Sequence, residues 1–549
     1  MCISWLASIL TILVLLQGFG FSIAQARQRE TVWGAVILTL HGDSTPNVSP
    51  NVKFLSPLGA RELLSSGDAA RRRYSNADPD DRSSSTRIRG LSPSLMHHQV
   101  SVLATRYQHV AASAQAFMQG LYPPLQDPLT PEYLASDLTL VNDAVMDFPF
   151  NGYQYPLIST FGEHDPGFVQ LSGNTNCPKY TSTVSEFRSM PTNGTAELLI
   201  ESGLFYSKLY PRILFTAFGQ DSVNIGNSYD IYQFLNYQYI HNSTAKNIIT
   251  DDDLEFARHL ASRWLYTTNG NVGADGHIFS IAGKTMAYNI VRSLQSNIKS
   301  KGSSNKLTMI FTDPKPMMAF ASLSGLPNPN HSNFRSLPNP GASMIIELFS
   351  MEETPFPSYP SSETSLMVRV LLRNGTNTTD ASTPFVAYSM FGLGPSNAAI
   401  SYKEFVNKIV PNMLSASGWC VACESNNPFC PKFQQVGDPD RGPADSILVI
   451  ACTSFAWLFI WGCIMLIRHV YTRGCVNIRK LRSRGVNGQL FPICSSDHHP
   501  SNYKPGGSIQ DDTHELQSMG RQARIFEDTD GSESLISPSD QPVKIREYV

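Results

Sequence analysis

The sequence lacks a net positive charge, an internal repeat, and any charged residue in two apolar segments. Its formal net charge is −3 at pH 7, which argues against nucleic acid as a partner. No segment recurs at a fixed period, so a repeat array is not expected. The two uncharged segments are more informative, because they predict how the chain meets a membrane.

The first uncharged segment is short and lies near the N-terminus. It runs from Leu6 to Ile23 and is followed by Ala24-Gln25-Ala26, small residues at the positions that a signal peptidase reads. No Lys or Arg precedes it, and an uncleaved anchor is the alternative. An apolar segment of this length with such an ending is more often removed, so residues 1–26 are predicted to be a signal peptide.

The second uncharged segment, Ile447 to Ile467, has 21 residues and would span roughly 30 Å as a helix. A buried core helix is the alternative, but such helices rarely lack polar residues on every side. Acidic residues precede the segment and basic residues follow it, which places the C-terminal side in the cytosol. The sequence therefore predicts a linker at 438–446, a transmembrane helix at 447–467 and a type I topology. The basic residues are Arg468, Arg473, Arg479, Lys480, Arg482 and Arg484.

Residues 468–549 are predicted to be a disordered cytoplasmic tail. From Lys480 onward the tail is rich in Ser, Asp, Gly, Pro and Gln, so it cannot bury enough apolar surface to offset its chain entropy. Its basic stretch favours anionic lipid headgroups, and lipids or proteins are its expected partners. The large N-terminal part would then face the lumen or the cell exterior, in a membrane of the secretory pathway, the plasma membrane or the vacuole.

Four cysteines fall in the predicted luminal part, in an oxidising compartment: Cys177, Cys420, Cys423 and Cys430. The Cys420-x-x-Cys423 spacing is also compatible with zinc or redox chemistry. The compartment and the two additional cysteines favour structural disulfides, whose connectivity the sequence does not reveal.

Sequons for N-glycosylation occur only in the predicted luminal part, which favours a surface-glycosylated domain. They begin at Asn47, Asn193, Asn242, Asn330, Asn374 and Asn377.

Residues 27–437 are expected to form one large α/β unit or two lobes. Trp33–Leu40 is a continuous apolar run, typical of a central strand buried on both faces. Ser56 and Pro57 predict a helix start, with Leu63, Leu64 and Ala70 on its buried side. Residues 130–250 have weaker periodicity and predict an inserted cap. Further helices are predicted at 107–119, 251–266 and 282–298, and further strands at 307–311, 344–349 and 367–372.

The first predicted strand ends in Leu40-His41-Gly42-Asp43-Ser44-Thr45-Pro46. This motif resembles the Arg-His-Gly-x-Arg-x-Pro signature of the histidine acid phosphatases, the eukaryotic branch of the phosphoglycerate mutase-like superfamily. Segments 55–74, 112–124 and 307–326 are similar to further motifs of that family. The resemblance is to fungal-type members. It implies a three-layer α/β/α core with a mixed central sheet and an inserted, mainly helical cap.

The chemistry of phosphoryl transfer explains why such a motif needs arginines, because charge builds on the phosphoryl oxygens and must be met by fixed donors. The resemblance implies that His41 is the nucleophile and that Asp313 protonates the leaving oxygen. It also implies that four phosphate-binding positions have lost their expected residues. Leu40, Ser44 and His109 replace arginines, and Thr312 replaces a second histidine.

Other cations could in principle replace these arginines. His109 would carry charge in an acidic compartment. Arg106, Arg61 and the run Arg71-Arg72-Arg73 are the other candidates, although a solvated helix face is the simpler interpretation. The pairs His97-His98 and His164-Asp165 are interpreted as turn or loop residues. The sequence predicts neither a cofactor nor a metal.

Three functions are compatible with the sequence. The favoured one is a membrane-anchored domain without efficient catalysis, which binds a phosphorylated or other small ligand and has a signalling or anchoring role through its tail. The second is an active phosphomonoesterase of the acid phosphatase or phytase type that uses His41 and Asp313. The third is a structural surface glycoprotein.

Overall fold

The computed structural model describes residues 29–48, 52–75, 86–124, 149–189, 193–270, 278–328, 331–352, 358–375 and 384–431. These residues belong to one unit rather than to two lobes. The predicted signal peptide, linker, transmembrane helix and tail all lie outside them. Within the described residues, no helix combines the length and apolar character needed to cross a membrane.

A mixed β-sheet forms the centre of the fold. Its order is β3-β2-β4-β1-β5-β6-β7, with β8 paired to β6. The neighbours β3, β2, β4 and β1 run parallel, whereas β5 to β8 pair antiparallel. The strands are β1 Arg29–Leu40, β2 Val100–Thr105, β3 Ile158–Phe161, β4 Leu307–Thr312, β5 Ser343–Glu352, β6 Leu366–Arg373, β7 Val386–Tyr388 and β8 Ala399–Ser401.

The helices fall into two that follow the first strands, a middle group, and a C-terminal group. The first two are α1 Pro57–Tyr74 and α2 Gln108–Leu121. The middle group is α3 Pro149–Gly152, α4 Pro166–Val169, α5 Pro178–Ser189, α6 Asn193–Leu209, α7 Ser228–His241, α8 Ser243–Lys246 and α9 Asp251–Asn269. The last group is α10 Ile281–Lys299, α11 Pro314–Leu323, α12 Tyr402–Ile409 and α13 Ala416–Ala422.

Strand β1 alternates between two cores, which gives the fold three layers. Ile37 packs with residues of α1 and α2 on one face of the sheet. Leu38 packs with residues of α10, α11 and α12 on the other face. Both side chains are fully buried. This agrees with the α/β/α core and the mixed sheet expected from the sequence.

The predicted helices and strands agree with the structure to within a few residues. Helix α1 begins at Pro57 with Ser56 as its N-cap, whose hydroxyl accepts a hydrogen bond from the N–H of Gly59. One burial prediction was wrong, since Leu63 is buried but Leu64 is 43% exposed. A helix turns by about 100° per residue, so the neighbour of a fully buried side chain points away from the same core.

The cap differs from its predicted range of 130–250. Strand β3 lies inside that range but belongs to the central sheet. The helical region follows it and continues through Asn269, the end of α9. Helices α6, α7 and α9 share a separate apolar core, to which Leu198, Phe234 and Leu265 contribute.

Two disulfides join the four predicted cysteines. Cys177 pairs with Cys423, and Cys420 pairs with Cys430. All four are buried together with Trp419 in an apolar cluster near the C-terminal end of the described chain. The two cysteines of the Cys-x-x-Cys pair therefore belong to different disulfides, and the prediction that all four cysteines form structural disulfides is confirmed.

Candidate active site and pocket

Parallel strands bring the candidate residues to one edge of the sheet. Leu40 and Thr312 are register partners at the ends of β1 and β4. The residues that follow them, His41 and Asp313, therefore lie side by side. Strand β2 lies on the other side of β4, and α2 after it supplies His109. Ligand sites of α/β folds form at such carboxyl ends.

His41 is buried and held in one orientation. Its Nδ1 lies 2.8 Å from the carbonyl oxygen of Gly42, a contact in which Nδ1–H donates. In the neutral ring the lone pair is then on Nε2, which faces Asp313 Oδ1 at 3.5 Å. The two residues predicted to act as nucleophile and proton donor are thus brought together.

His109 lies in the first turn of α2, and its ring meets that of His41 edge to face at a centroid distance of 4.7 Å. Its Nε2 is 3.8 Å from Asp313 Oδ1, too far for a hydrogen bond. Both ring nitrogens are buried and have no hydrogen-bond partner. His109 thus faces the pocket with unsatisfied nitrogens.

Lys53 is the cation that contacts His41, and sequence reasoning missed it. Its Nζ lies 3.4 Å from His41 Nε2 and donates to Gln233 Oε1 at 3.1 Å. Lys53 comes from the loop between β1 and α1, a few residues after the motif. The only sequence signal for Lys53 was its position shortly after the motif. The motif itself contains no lysine, so the sequence did not suggest a role for Lys53.

The protonation states in the cluster follow from burial and from these neighbours. Burial and the ammonium of Lys53 lower the pKa of His41, against the opposing effect of Asp313. Burial lowers the pKa of His109 to about 4, so it does not replace an arginine as suggested for an acidic compartment. Burial would raise the pKa of Asp313, but the positive charge of Lys53 helps to hold it well below its usual range.

A second hydrogen-bond network fixes the motif loop, residues 41–46, behind His41. Asp43 Oδ2 lies 2.8 Å from His241 Nε2, at the end of α7, and accepts a hydrogen bond from Ser56. The N–H of Asp43 donates to Glu62 Oε2 at 2.8 Å. Burial raises the pKa of Glu62 to about 7. The cap helix α7 is thereby tied directly to the motif loop.

A cavity of about 530 Å³ opens beside this cluster. Its charged lining is balanced, with Lys53 and Lys315 against Asp230 and Asp313. The remaining lining is mainly hydroxyl, amide and aromatic. These residues include Tyr107, Tyr229, Gln108, Gln233, Asn174 and Thr175.

Of the positions expected to bind phosphate, only His109 lines the cavity of about 530 Å³, whereas Leu40 and Ser44 line a smaller cavity beside His41. Leu40 packs in the apolar core. Ser44 is buried and forms an isolated bridge with Leu55 in the motif loop. Thr312 is fully buried and donates its hydroxyl to the carbonyl of Leu171 at 2.7 Å, so it is held away from a ligand.

The arginines suggested as replacements bind elsewhere, which corrects that expectation. Arg61 and Arg106 are exposed. Arg71 donates to the carbonyl of Leu121, Arg72 pairs with Asp68, and Arg73 pairs with buried Glu347. The solvated helix-face interpretation holds for Arg72 but not for Arg73, whose side chain is only 16% exposed.

One further arginine lines a smaller cavity beside His41. Arg258 donates to Tyr232 Oη at 3.1 Å and to the carbonyl of Leu337. Its guanidinium also lies over the Tyr232 ring. Arg258 thus connects α9 to the segment before β5.

The other predicted polar sites lie where the sequence placed them or outside the described residues. His97 and His98 are exposed in a turn. The side chain of Asp165 accepts a hydrogen bond from the N–H of Gly162 within the loop before α4. Among the sequons, Asn47 lines the cavity, and Asn242 and Asn374 are exposed. Asn193 begins helix α6. Asn330 and Asn377 lie outside the described residues.

A family model agrees with the motifs and the strand-edge site. The model of the histidine phosphatase superfamily (branch 2) matches residues 31–373, which is more than half of the chain. The chain belongs to this superfamily. No curated protein matches the chain significantly.

Several solved structures resemble this branch 2 domain. A phytase from Citrobacter braakii is 13% identical, with a TM-score of 0.44 over 70% of this chain and 99% of the phytase. Hafnia alvei phytase in complex with tartrate is also 13% identical, with a TM-score of 0.43 over 70% and 98% of the two chains. A Bifidobacterium longum multiple inositol polyphosphate phosphatase with inositol hexasulfate is 12% identical, with a TM-score of 0.38 over 67% and 90%.

Proposed function

We propose that this branch 2 domain binds a small polar ligand of low net charge beside His41 and does not efficiently hydrolyse phosphomonoesters. The observation that carries the proposal is the charge around the nucleophile position. One ammonium, that of Lys53, contacts His41 Nε2 at 3.4 Å, while the carboxylate of Asp313 faces the same nitrogen at 3.5 Å. A phosphoryl dianion would enter a site that is close to electrically neutral.

The energetic consequence is large. Removing one preorganised donor for developing charge costs roughly 10² to 10³ in rate. Losses within one site do not simply multiply, but Leu40, Ser44 and Thr312 supply no replacement positive charge. Substrate binding and turnover would both be impaired.

The cavity supports a different ligand class. Two lysines and two aspartates line it together with hydroxyl and amide groups. Such a lining fits a neutral polyol, a sugar or a zwitterion better than a polyanion. We further propose that residues 447–467 anchor the domain in a membrane and that the tail carries its signalling or anchoring role.

Active phosphomonoester hydrolysis is the second candidate, and one observation favours it. His41 and Asp313 are adjacent, as a nucleophile and a proton donor must be. Lys53 would then act as the main phosphate-binding cation.

The test compares ligands by thermal shift and substrates by phosphate release. In the full chain treated with EDTA, myo-inositol or a simple sugar should raise the melting temperature more than inositol hexakisphosphate does, because binding stabilises the folded state. Release of phosphate from p-nitrophenyl phosphate should equal that of His41→Ala. Turnover that depends on His41 would favour the second candidate.

A further inference from the structure

Three potential metal ligands converge in the pocket although they are far apart in sequence. One ligand atom each from His41, His109 and Asp313 lies within 4.8 Å of the other two. Two imidazoles and one carboxylate are a common ligand set for zinc and other divalent transition metals. We propose that these residues bind one Zn²⁺ ion.

The orientation of His41 favours this role. Its Nδ1–H donates to the Gly42 carbonyl at 2.8 Å, which leaves the lone pair on Nε2, the nitrogen that faces Asp313. Metal-binding histidines usually have such a backbone acceptor on the other ring nitrogen, because it fixes the tautomer and the ring orientation. The hydrogen bond that would orient one of the three ligands is therefore already present.

His109 and Asp313 both have side-chain atoms that could bind a metal ion. Both nitrogens of the buried His109 ring lack a hydrogen-bond partner, a condition that is unfavourable for buried polar groups. Asp313 is the N-cap residue of α11, yet its side chain makes no capping hydrogen bond. A zinc ion would satisfy one nitrogen of His109 and would bind a carboxylate that the helix does not use.

The three ligand atoms lie within 4.8 Å of one another, so zinc binding requires them to approach by at most about 1.5 Å. Zinc bonds to nitrogen and oxygen are about 2.0–2.2 Å long, so tetrahedral ligand atoms are about 3.3 Å apart. Asp313 Oδ1 is already 3.5 Å from His41 Nε2 and 3.8 Å from His109 Nε2. The cavity of about 530 Å³ leaves room for water or a ligand at the fourth position.

Lys53 competes with the ion for this place. Its ammonium provides the positive charge near His41 Nε2 and Asp313, and it must withdraw when Zn²⁺ binds. The Lys53 ammonium already donates to Gln233 at 3.1 Å, and it can keep this hydrogen bond when it moves away from His41. With His41 bound to zinc, its lone pair would be unavailable to attack phosphorus.

The experiment titrates ZnCl₂ into the EDTA-treated, desalted full chain by calorimetry, with Co²⁺ absorption as a report of tetrahedral coordination. His109→Ala removes a ligand, so it should weaken zinc binding in the pocket by more than the roughly 10–100-fold that follows loss of a residue behind a ligand. His97→Ala removes an exposed histidine and is the matched control. Its affinity should equal that of the unmodified chain.

Lys53→Met gives an independent reading that does not depend on removing a ligand. It should raise zinc affinity at least about tenfold, since it removes a competing charge, a change of about 1.4 kcal/mol. Equal zinc binding by the unmodified chain and His109→Ala, or no gain in Lys53→Met, would overturn the proposal.

Discussion

The ammonium of Lys53 lies 3.4 Å from Nε2 of His41, the atom predicted to act as the nucleophile. Lys53 lies in the loop before α1. Its ammonium also donates a hydrogen bond to Gln233 in the cap helix α7. Lysine is a compact point charge and lacks the planar fork that binds phosphate in a bidentate manner. The pocket therefore keeps some attraction for anions without the geometry for tight phosphate binding.

Replacing Lys53 should abolish this residual attraction. Hydrogen bonds to charged groups contribute roughly 1.5–3 kcal/mol, so Lys53→Gln should weaken binding of inorganic phosphate by about 10–100-fold. Lys315→Gln is the control, since Lys315 lines the same cavity from the first turn of α11. Calorimetry in the presence of EDTA measures both. Equal losses in the two variants would show that Lys53 has no special position.

Glu62 should make the folded state less stable as the pH rises. Burial raises its pKa from 4.5 to about 7, so the folded state holds a proton that the unfolded state releases between these values. Its stabilising contribution is present below pH 4.5 and is lost as the pH passes 7. Glu62→Gln should remove this dependence and raise the free energy of unfolding at pH 8 by up to about 3 kcal/mol. Urea unfolding at pH 5 and pH 8 tests this, and an unchanged pH dependence would contradict it.

Glu347 should contribute in the opposite direction. Burial opposes its ionisation, but Arg73, Arg369 and Tyr74 hold the pKa of Glu347 below its usual value. Its stabilisation is present above pH 4.5 and is lost as the pH falls through the lowered pKa. At pH 7, Glu347→Gln leaves two arginines without their buried partner and should cost about 3–5 kcal/mol.

Glu30 provides the matched control for Glu347. It pairs with the same Arg369 at 2.8 Å but is 32% exposed. Glu30→Gln should cost at most about 1 kcal/mol, because water screens exposed pairs. Denaturant unfolding separates the two variants, and similar losses would contradict the role assigned to the buried cluster.

The two disulfides should differ in their contribution to stability. Cys177–Cys423 closes a separation of 246 residues, whereas Cys420–Cys430 closes only 10. By chain entropy, replacing the long-range pair with serines should cost about 5 kcal/mol and replacing the short-range pair about 3 kcal/mol. Thermal unfolding of the two double variants measures the order, and a larger loss for the short-range pair would contradict it.

Much of the scaffold could be predicted from the sequence because its signals are local. The apolar run of β1, the Ser56-Pro57 helix start and the apolar β4 strand each appear at their predicted places. Strand β3 could not be recognised, since it has four residues with exposed ones in the middle and depends on pairing with β2.

The site was predictable only in part. His41 and Asp313 follow two apolar strands, and parallel pairing of those strands brings them together. Lys53 could not be assigned, because its place depends on the path of a loop and on Gln233 in the distant helix α7. The metal-ligand cluster escaped notice for a similar reason, since spacing along the sequence does not reveal ligands that come from three separate segments.

The measurement that tests the central claim most directly is a rapid-quench search for a phosphorylated intermediate. The EDTA-treated full chain is mixed with radiolabelled p-nitrophenyl phosphate and denatured at short times, with His41→Ala treated in parallel. The neutral pocket around His41 predicts that both samples carry the same background label. Label that accumulates on the unmodified chain and is absent from His41→Ala would contradict the proposal and establish a working phosphatase.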